Sequence, residues 1–388
     1  MPKAEYLQYG GQAVIEGVMM RSPRFFAVAC RAPNQEIVCR AEPVEKTWVG
    51  RQKWLKLPFL RGSLALLDAM ALGIKALQFA SRVQLDERYE GTGPPKEERV
   101  RHTAGEIPFW LGLIAVNVVI GALIGPAIGS AVAAKLASLW HGIVSPKGLI
   151  GAGAAVVLIL ALAFRPKKAE EQSDSKGAIN EIAVGGAMVM GLGLGVLLFV
   201  VLPTAAVDAF KAHGWTTAQL NLLDVGLRFL IFLDYVALIS LMPDIYRVFQ
   251  YHGAEHKAIN TLEARQELTR ENAMRQTRLH QRCGTSFIVI VLLLSLLVFP
   301  FLPRPEIWLR VPLHIAILFP IAGVAYEALR LAGRMKGTLL CTVLFWPGLL
   351  TQFLTTREPN ERQVDVALEA LRSVVEQEGV RPTELVVT

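Results

Sequence analysis

Residues 284–303, GTSFIVIVLLLSLLVFPFLP, decide the fold. This run carries no charge, and a spanning helix needs about 20 such residues to cross a hydrocarbon core of roughly 30 Å. It starts after Cys283 and stops at Arg304. Outward from it, three more uncharged runs qualify: Ile107 to Ala134, Gly148 to Phe164 and Ile182 to Val207. Two further runs carry polar interruptions. Val225 to Pro243 contains Arg228 and Asp234, and Val311 to Leu329 contains His314 and Glu327. The sequence therefore predicts six spans.

Loop charge supports this count. With the N-terminus in the cytosol, the inside loops 165–181, 244–283 and 330–336 hold 14 Lys and Arg, against 5 in the outside loops. That bias is the one expected of cytosolic loops. A seventh uncharged run, Gly337 to Thr356, is interrupted by Pro347-Gly348, which we expect to break its centre. An odd span would move the C-terminus outside, so this run reads as re-entrant or interfacial. Composition agrees: 53% of residues are apolar, only 19% are charged and mean hydropathy is +0.40. These values exclude a disordered or nucleic-acid-binding tail protein, and the clustering of apolar residues excludes an ordinary soluble enzyme. A net charge of +7 fits cytosolic loops facing anionic lipid, and no specific nucleic acid is expected. Four cysteines are too few for a disulfide framework, and the first 30 residues read as carrying no signal peptide.

The expected fold is thus mainly α: a polytopic helical protein of the cytoplasmic (inner) membrane with both termini cytosolic. A small β-hairpin is predicted from Phe25 to Ala32 and Glu36 to Pro43, turning at Pro33-Asn34-Gln35. The organisation reads as an N-terminal cytosolic segment (1–50), an interfacial amphipathic helix (51–85), a linker (86–106) and two additional spans (107–165). A core membrane domain (166–356) and a C-terminal amphipathic helix (357–388) follow. In the last of these, Val364, Leu368, Leu371 and Val375 share one face, Asn360 is a candidate N-cap, and Gln363 stands at the capping-box position.

The chemistry concentrates in the cytosolic loop 244–283. His252 and His256, four apart, would share one face of a helix, as two imidazoles on one metal require. With Glu255 they spell H-x-x-E-H, the inverted zinc-protease pattern, in which the Glu is the general base. His280 and Cys283, three apart, add a neutral imidazole and a thiolate, which zinc favours. A solvated loop is the competing account, and Cys283 as a nucleophile beside a histidine is another. Glu327, near the cytosolic end of a span, is a further candidate ligand or proton acceptor, or a snorkelling partner of Arg330 or Arg334. Arg228 and Asp234 are expected to pair within the bundle, and His314 to be a satisfied core histidine. In Tyr9 to Arg21, YGGQAVIEGVMMR, Glu16 and Arg21 are candidates to line a site. Cys30 and Cys39 are expected to be free thiols.

Together these strings resemble the YqhQ-like family, bacterial multi-pass membrane proteins described as predicted metal-dependent enzymes. The resemblance rests on GGQAVIEGVMMR (10–21), DIYRVFQYHGAEHKAIN (244–260), HQRCGTSF (280–287), AGVAYEALRLAGR (322–334), PGLLTQFLTTREP (347–359) and QVDVALEAL (363–371). Relatives usually have proline where this chain has Gln281, and many lack residues 107–165. The resemblance implies metal roles for His252, Glu255, His256, His280 and Cys283, and names no substrate.

Three functions follow. The first is a zinc-dependent membrane hydrolase, with His252, His256 and one or two of His280, Cys283 and Glu327 as ligands and Glu255 as base. The second is a non-enzymatic membrane-protein biogenesis or scaffold factor with a closed structural metal and a protein partner at the cytosolic face. The third is a metal-ion or small-solute transporter. The sequence leaves oligomeric state open.

Overall fold

In the computed structural model, the glycine-spaced N-terminal string is a pair of strands. The structure describes residues 9–44, 60–91, 214–334 and 339–379, with short stretches between 186 and 208. β1 (Gly10–Val14) and β2 (Gly17–Arg21) are joined by the two-residue turn Ile15-Glu16, where Glu16 has φ +50°. β3 (Phe25–Arg31) and β4 (Ile37–Pro43) form the predicted hairpin. The four strands make an antiparallel meander in the order β1-β2-β3-β4. The expected two-stranded hairpin is therefore half of the sheet. Three glycines dilute the strand signal of residues 10–21.

The chain divides into two compact units. In the first (1–109, 233–295 and 313–388), helices cover both faces of the sheet. α1 (Leu60–Leu85) lays Leu72, Ala76, Ala80 and Val83 on a face formed by Val14, Met19, Phe26, Val28 and Cys30. The spacing 72, 76, 80, 83 is the i, i+4 stripe of a one-sided helix. This apolar stripe of the helix expected at the interface therefore packs on protein. Val18, Met20, Ala27 and Ala29 form the opposite face, which packs against helices introduced below.

The bundle segments follow in order. α2 (Leu202–Asp208) precedes α3 (Thr217–Ile239), and α4 (Pro243–Glu263) leaves α3 at a bend of 103°. Short α5 (Arg270–Arg275) leads to α6 (Gly284–Val298), α7 (Ile307–Arg334) and α8 (Leu339–Thr355), and α9 (Glu361–Gln377) closes the described chain. Among the described residues, two segments are long and apolar enough to cross a membrane: Gly284–Phe301 and Pro312–Leu329. A third joins them if the bent pair α3–α4 counts as one span. The expected spans at 107–134 and 148–164 and the polar loop 165–180 lie outside the described residues. So does the linker beyond residue 91.

α8 corrects one expectation, because the helix continues through Pro347. The adjacent Gly348 sits where α8 meets α6: a Cβ there would lie 2.8 Å from the Ser286 side chain. α9 begins with the expected box. Asn360 Oδ1 accepts the Gln363 N–H at 2.9 Å, and Gln363 Oε1 accepts the Asn360 N–H at 2.9 Å. Its apolar stripe, Val364, Leu368, Leu371 and Val375, is at most 1% exposed, packed with α4 on the second face of the sheet. Each such side chain contributes about 1.5–3 kcal/mol of burial.

In the second unit (110–232 and 296–312), Arg228, for which Asp234 was the expected partner, pairs with Asp224. Its Nη2 meets Asp224 Oδ2 at 3.0 Å and Thr204 Oγ1 at 3.0 Å. Asp224 is one turn away on the same helical face, whereas a residue six positions on falls on the opposite side. Arg304 and Arg310 both reach Asp208 Oδ1, at 3.0 and 2.9 Å.

Candidate metal centre

α4 is a helix for local reasons. Pro243 takes the first turn, where no N–H is needed, and Asp244 complements the N-terminal dipole. Over Tyr251–Leu262 the helix buries nearly every residue against the sheet and α9. His252, Glu255 and His256 thereby share one face (i, i+3, i+4). Gly253 is required on another: a Cβ there would overlap the carbonyl oxygen of Arg357. That crossing segment is anchored by the Arg357 N–H, which donates to Phe249 O at 2.8 Å, and by the Arg357 guanidinium over the Tyr246 ring.

Three sequence candidates come together. One ligand atom each from His252, His256 and Cys283 lie within 4.8 Å of one another. His252 Nε2 is 3.2 Å from Cys283 Sγ, and the two imidazole centroids are 4.5 Å apart. Tetrahedral zinc with one N and one S ligand spaces them by about 3.5 Å. Both rings are fixed through their other nitrogen: His252 Nδ1 donates to Thr355 O at 2.7 Å, and His256 Nδ1 to Arg278 O at 2.6 Å. Donation from Nδ1 leaves Nε2 as the lone-pair side, the tautomer used by metal-bound histidines. His256 Nε2 is buried and has no hydrogen-bond partner. An orphaned buried acceptor beside a thiol and a second imidazole fits a divalent metal of zinc type.

Glu255 stands beside the trio, with its carboxylate 4.0 Å from His252 Nε2. Burial raises its pKa, opposed by His256 and His252 and, less, by the backbone of Gly11. Burial pushes the Cys283 thiol up, but the two histidines overturn this and hold it well below the usual thiol value. Cys283 also precedes α6 and accepts the Thr285 N–H at 3.4 Å, where a helix N-terminus favours a thiolate. Burial disfavours a charged His252; Cys283 outweighs it and, with Glu255 and the Thr355 carbonyl, brings the imidazole to about 9.

The other candidates sit elsewhere. His280 is buried, its ring 5.6 Å from that of His256, but its Nε2 is 3.1 Å from Glu263 Oε1, a carboxylate that also pairs with Arg282. Burial lowers the His280 pKa, with Glu263 opposing. Glu327, half-buried on α7, is not among the converging ligand atoms. Glu16 is held by Arg247, whose Nε and Nη2 donate at 2.7 and 2.6 Å, and by Tyr251 Oη at 3.2 Å. It pins the β1–β2 turn to α4. Arg21 ends β2, opposite Gly10 and Phe26. Cys30 and Cys39 are free thiols, and burial pushes Cys30 to about 12.

The sequence reading missed Gln352, Thr355, Glu263 and Gly11. Gln352, fully buried, accepts the His280 N–H at 2.8 Å and donates to His280 O and Ser286 Oγ. Thr355 fixes His252. Their signal was the polar stripe Thr351, Gln352 and Thr355 inside an apolar run. Gly11 carried none beyond being glycine, yet a Cβ there would lie 2.8 Å from Glu255 Cγ and 2.7 Å from Met19 O.

Comparison with known proteins gives a family and no function. "Uncharacterized protein YqhQ" of Bacillus subtilis (strain 168) is 28% identical over 373 residues, covering 96% of this chain and 93% of that protein. No solved structure matches. The family described as "Protein of unknown function (DUF1385)" matches residues 57–377, spanning α1 through α9, so the chain belongs to the DUF1385 family.

Proposed function

We propose that the protein is a zinc-dependent hydrolase of the inner membrane, with its site on the cytosolic surface. The observation that carries this is the unpartnered, buried His256 Nε2 facing His252 and Cys283, with both rings locked through Nδ1. His252, His256 and Cys283 would hold the metal. Three protein ligands leave a coordination position open, the mark of a catalytic rather than structural site. When bound, the metal supplies a Lewis acid that brings the pKa of water to about 7. Glu255, buried beside the cluster with a raised pKa, is poised as general base. It takes a proton from water as the oxygen bonds the substrate carbonyl carbon, and returns it to the leaving group as the scissile bond breaks.

The membrane reading extends to six spans with both ends cytosolic. The N-terminal sheet and C-terminal α9 share one core, which supports an even number of crossings. Gly348 and Gln352 of α8 pack against Ser286 at the start of α6, which supports a re-entrant or interfacial α8.

Metal content tests the proposal. Detergent-purified protein should hold about one zinc per chain, and His256→Ala and Cys283→Ala should lose it. A folded wild type without metal, even after zinc reconstitution, overturns it. The 3.2 Å contact between Cys283 Sγ and His252 Nε2, with Thr355 O orienting the imidazole, supports a second reading, a cysteine nucleophile with a histidine base. Metal-free wild type alkylated at Cys283 by iodoacetamide with loss of function would favour it.

A further inference from the structure

β1 is an edge strand of the sheet, and Gly10, Gly11 and Gln12 are exposed. Its hairpin with β2 closes on the pair Val14–Gly17 across a two-residue turn, so Val14, Gln12 and Gly10 bond to β2. By alternation, the backbone groups of Gly11 and Ala13 point away from β2, toward the free edge. Glu255 lies against Gly11 of this strand, since a Cβ built on Gly11 would be 2.8 Å from Glu255 Cγ and 2.9 Å from its Cδ. The open edge of a sheet thus runs directly past the candidate general base. Nothing lies within 4 Å of a Cβ built on Gly10, so the strand's first residues present bare backbone. Gln12 projects to the other face, toward Gly73 of α1.

We propose that the substrate is an extended peptide segment that adds to the free edge of β1. Gly11 C=O and Ala13 N–H would be its backbone partners, and its scissile carbonyl would lie at the His252/His256/Cys283 cluster. Strand addition gives affinity through main-chain hydrogen bonds and holds a carbonyl at a fixed distance along the strand. It also explains why residues 10–12 are small or turned aside: a side chain at Gly11 would collide with Glu255.

This rests on the proposed metal site, and the test separates the two. Zinc-loaded, full-length protein in detergent is titrated with three probes. These are acetohydroxamate, a tetra-alanine hydroxamate, and the same peptide N-methylated on its backbone amides. Tighter binding of the tetra-alanine hydroxamate than of acetohydroxamate, by at least about tenfold, is expected. N-methylation, and Ala13→Pro with zinc content intact, should each remove that gain. Equal binding of the methylated and unmethylated peptides overturns strand addition while leaving the metal reading standing. Failure of all three hydroxamates to bind zinc-loaded protein overturns the open coordination position and the peptide inference with it.

Discussion

Two regions of this protein bury ionisable groups, and they resolve them differently. In the second unit, Arg228 meets Asp224, and Arg304 and Arg310 share Asp208. Asn221 bonds Arg304 and the carbonyls of Phe299 and Leu302. Every charge named there has an opposite charge in contact, three guanidinium groups on two carboxylates, which is how buried charges are tolerated. In the first unit, two imidazoles, a thiol and a carboxylate converge, and every one of them is a ligand or proton acceptor. Equal burial therefore has two meanings. A set of charges that answer one another is architecture; imidazoles, a thiol and a carboxylate that converge, with one buried nitrogen left without a partner, are what the proposed metal site rests on.

The largest effect that would break this comparison is at the converging set. Cys283→Ala should cut bound zinc from about one equivalent to about a tenth or less, read by mass spectrometry, whereas Arg228→Met should leave it unchanged. Next comes stability in the ion-paired set. Arg228→Met strands Asp224 and should cost about 3–5 kcal/mol, while adding Asp224→Leu should recover most of the loss, measured by thermal unfolding in detergent. Gly253→Ala should follow at about 1–3 kcal/mol, because the new methyl meets the Arg357 carbonyl on a fixed segment.

The smallest effect concerns pH. Burial would raise the Glu378 carboxyl, but hydrogen bonds from Ser22 (2.5 Å) and Arg24 (2.7 Å) lower it below its usual value. A carboxyl lowered on folding stabilises above its unfolded pKa and loses that contribution as pH falls through the folded value. Wild type should therefore lose about 1–2 kcal/mol over Glu378→Gln between pH 7 and acid pH, with the two melting curves converging below pH 4.

The parts legible in the sequence were those with a local period. The uncharged runs at 284–303 and 311–329, the capping box at Asn360 and the His252/His256 spacing all depend on neighbours within a few residues. Residues 10–21 were not legible as strands, since glycines there serve close approach to Glu255 and Cys30 rather than strand propensity. His280 illustrates the other limit. Its spacing from Cys283 suggested a shared ion, but Glu263, which folds back from the end of α4, takes its Nε2. Pairings set by chain crossings, such as Arg357 over Gly253 or Gln352 across His280, leave no trace in spacing.

The sheet and its cover also impose an order in time. β1–β4 leave the ribosome well before their cover: the face made by Val18, Met20, Ala27 and Ala29 is covered by α4 and α9, some 200 and 300 residues later in the chain. Until α9 emerges, that apolar face lacks its cover, and contacts of such long sequence separation form slowly. A nascent chain stalled before Asn360 would therefore carry a sheet still open to aggregation, and the last 20 or so described residues act as the latch that ends its vulnerability.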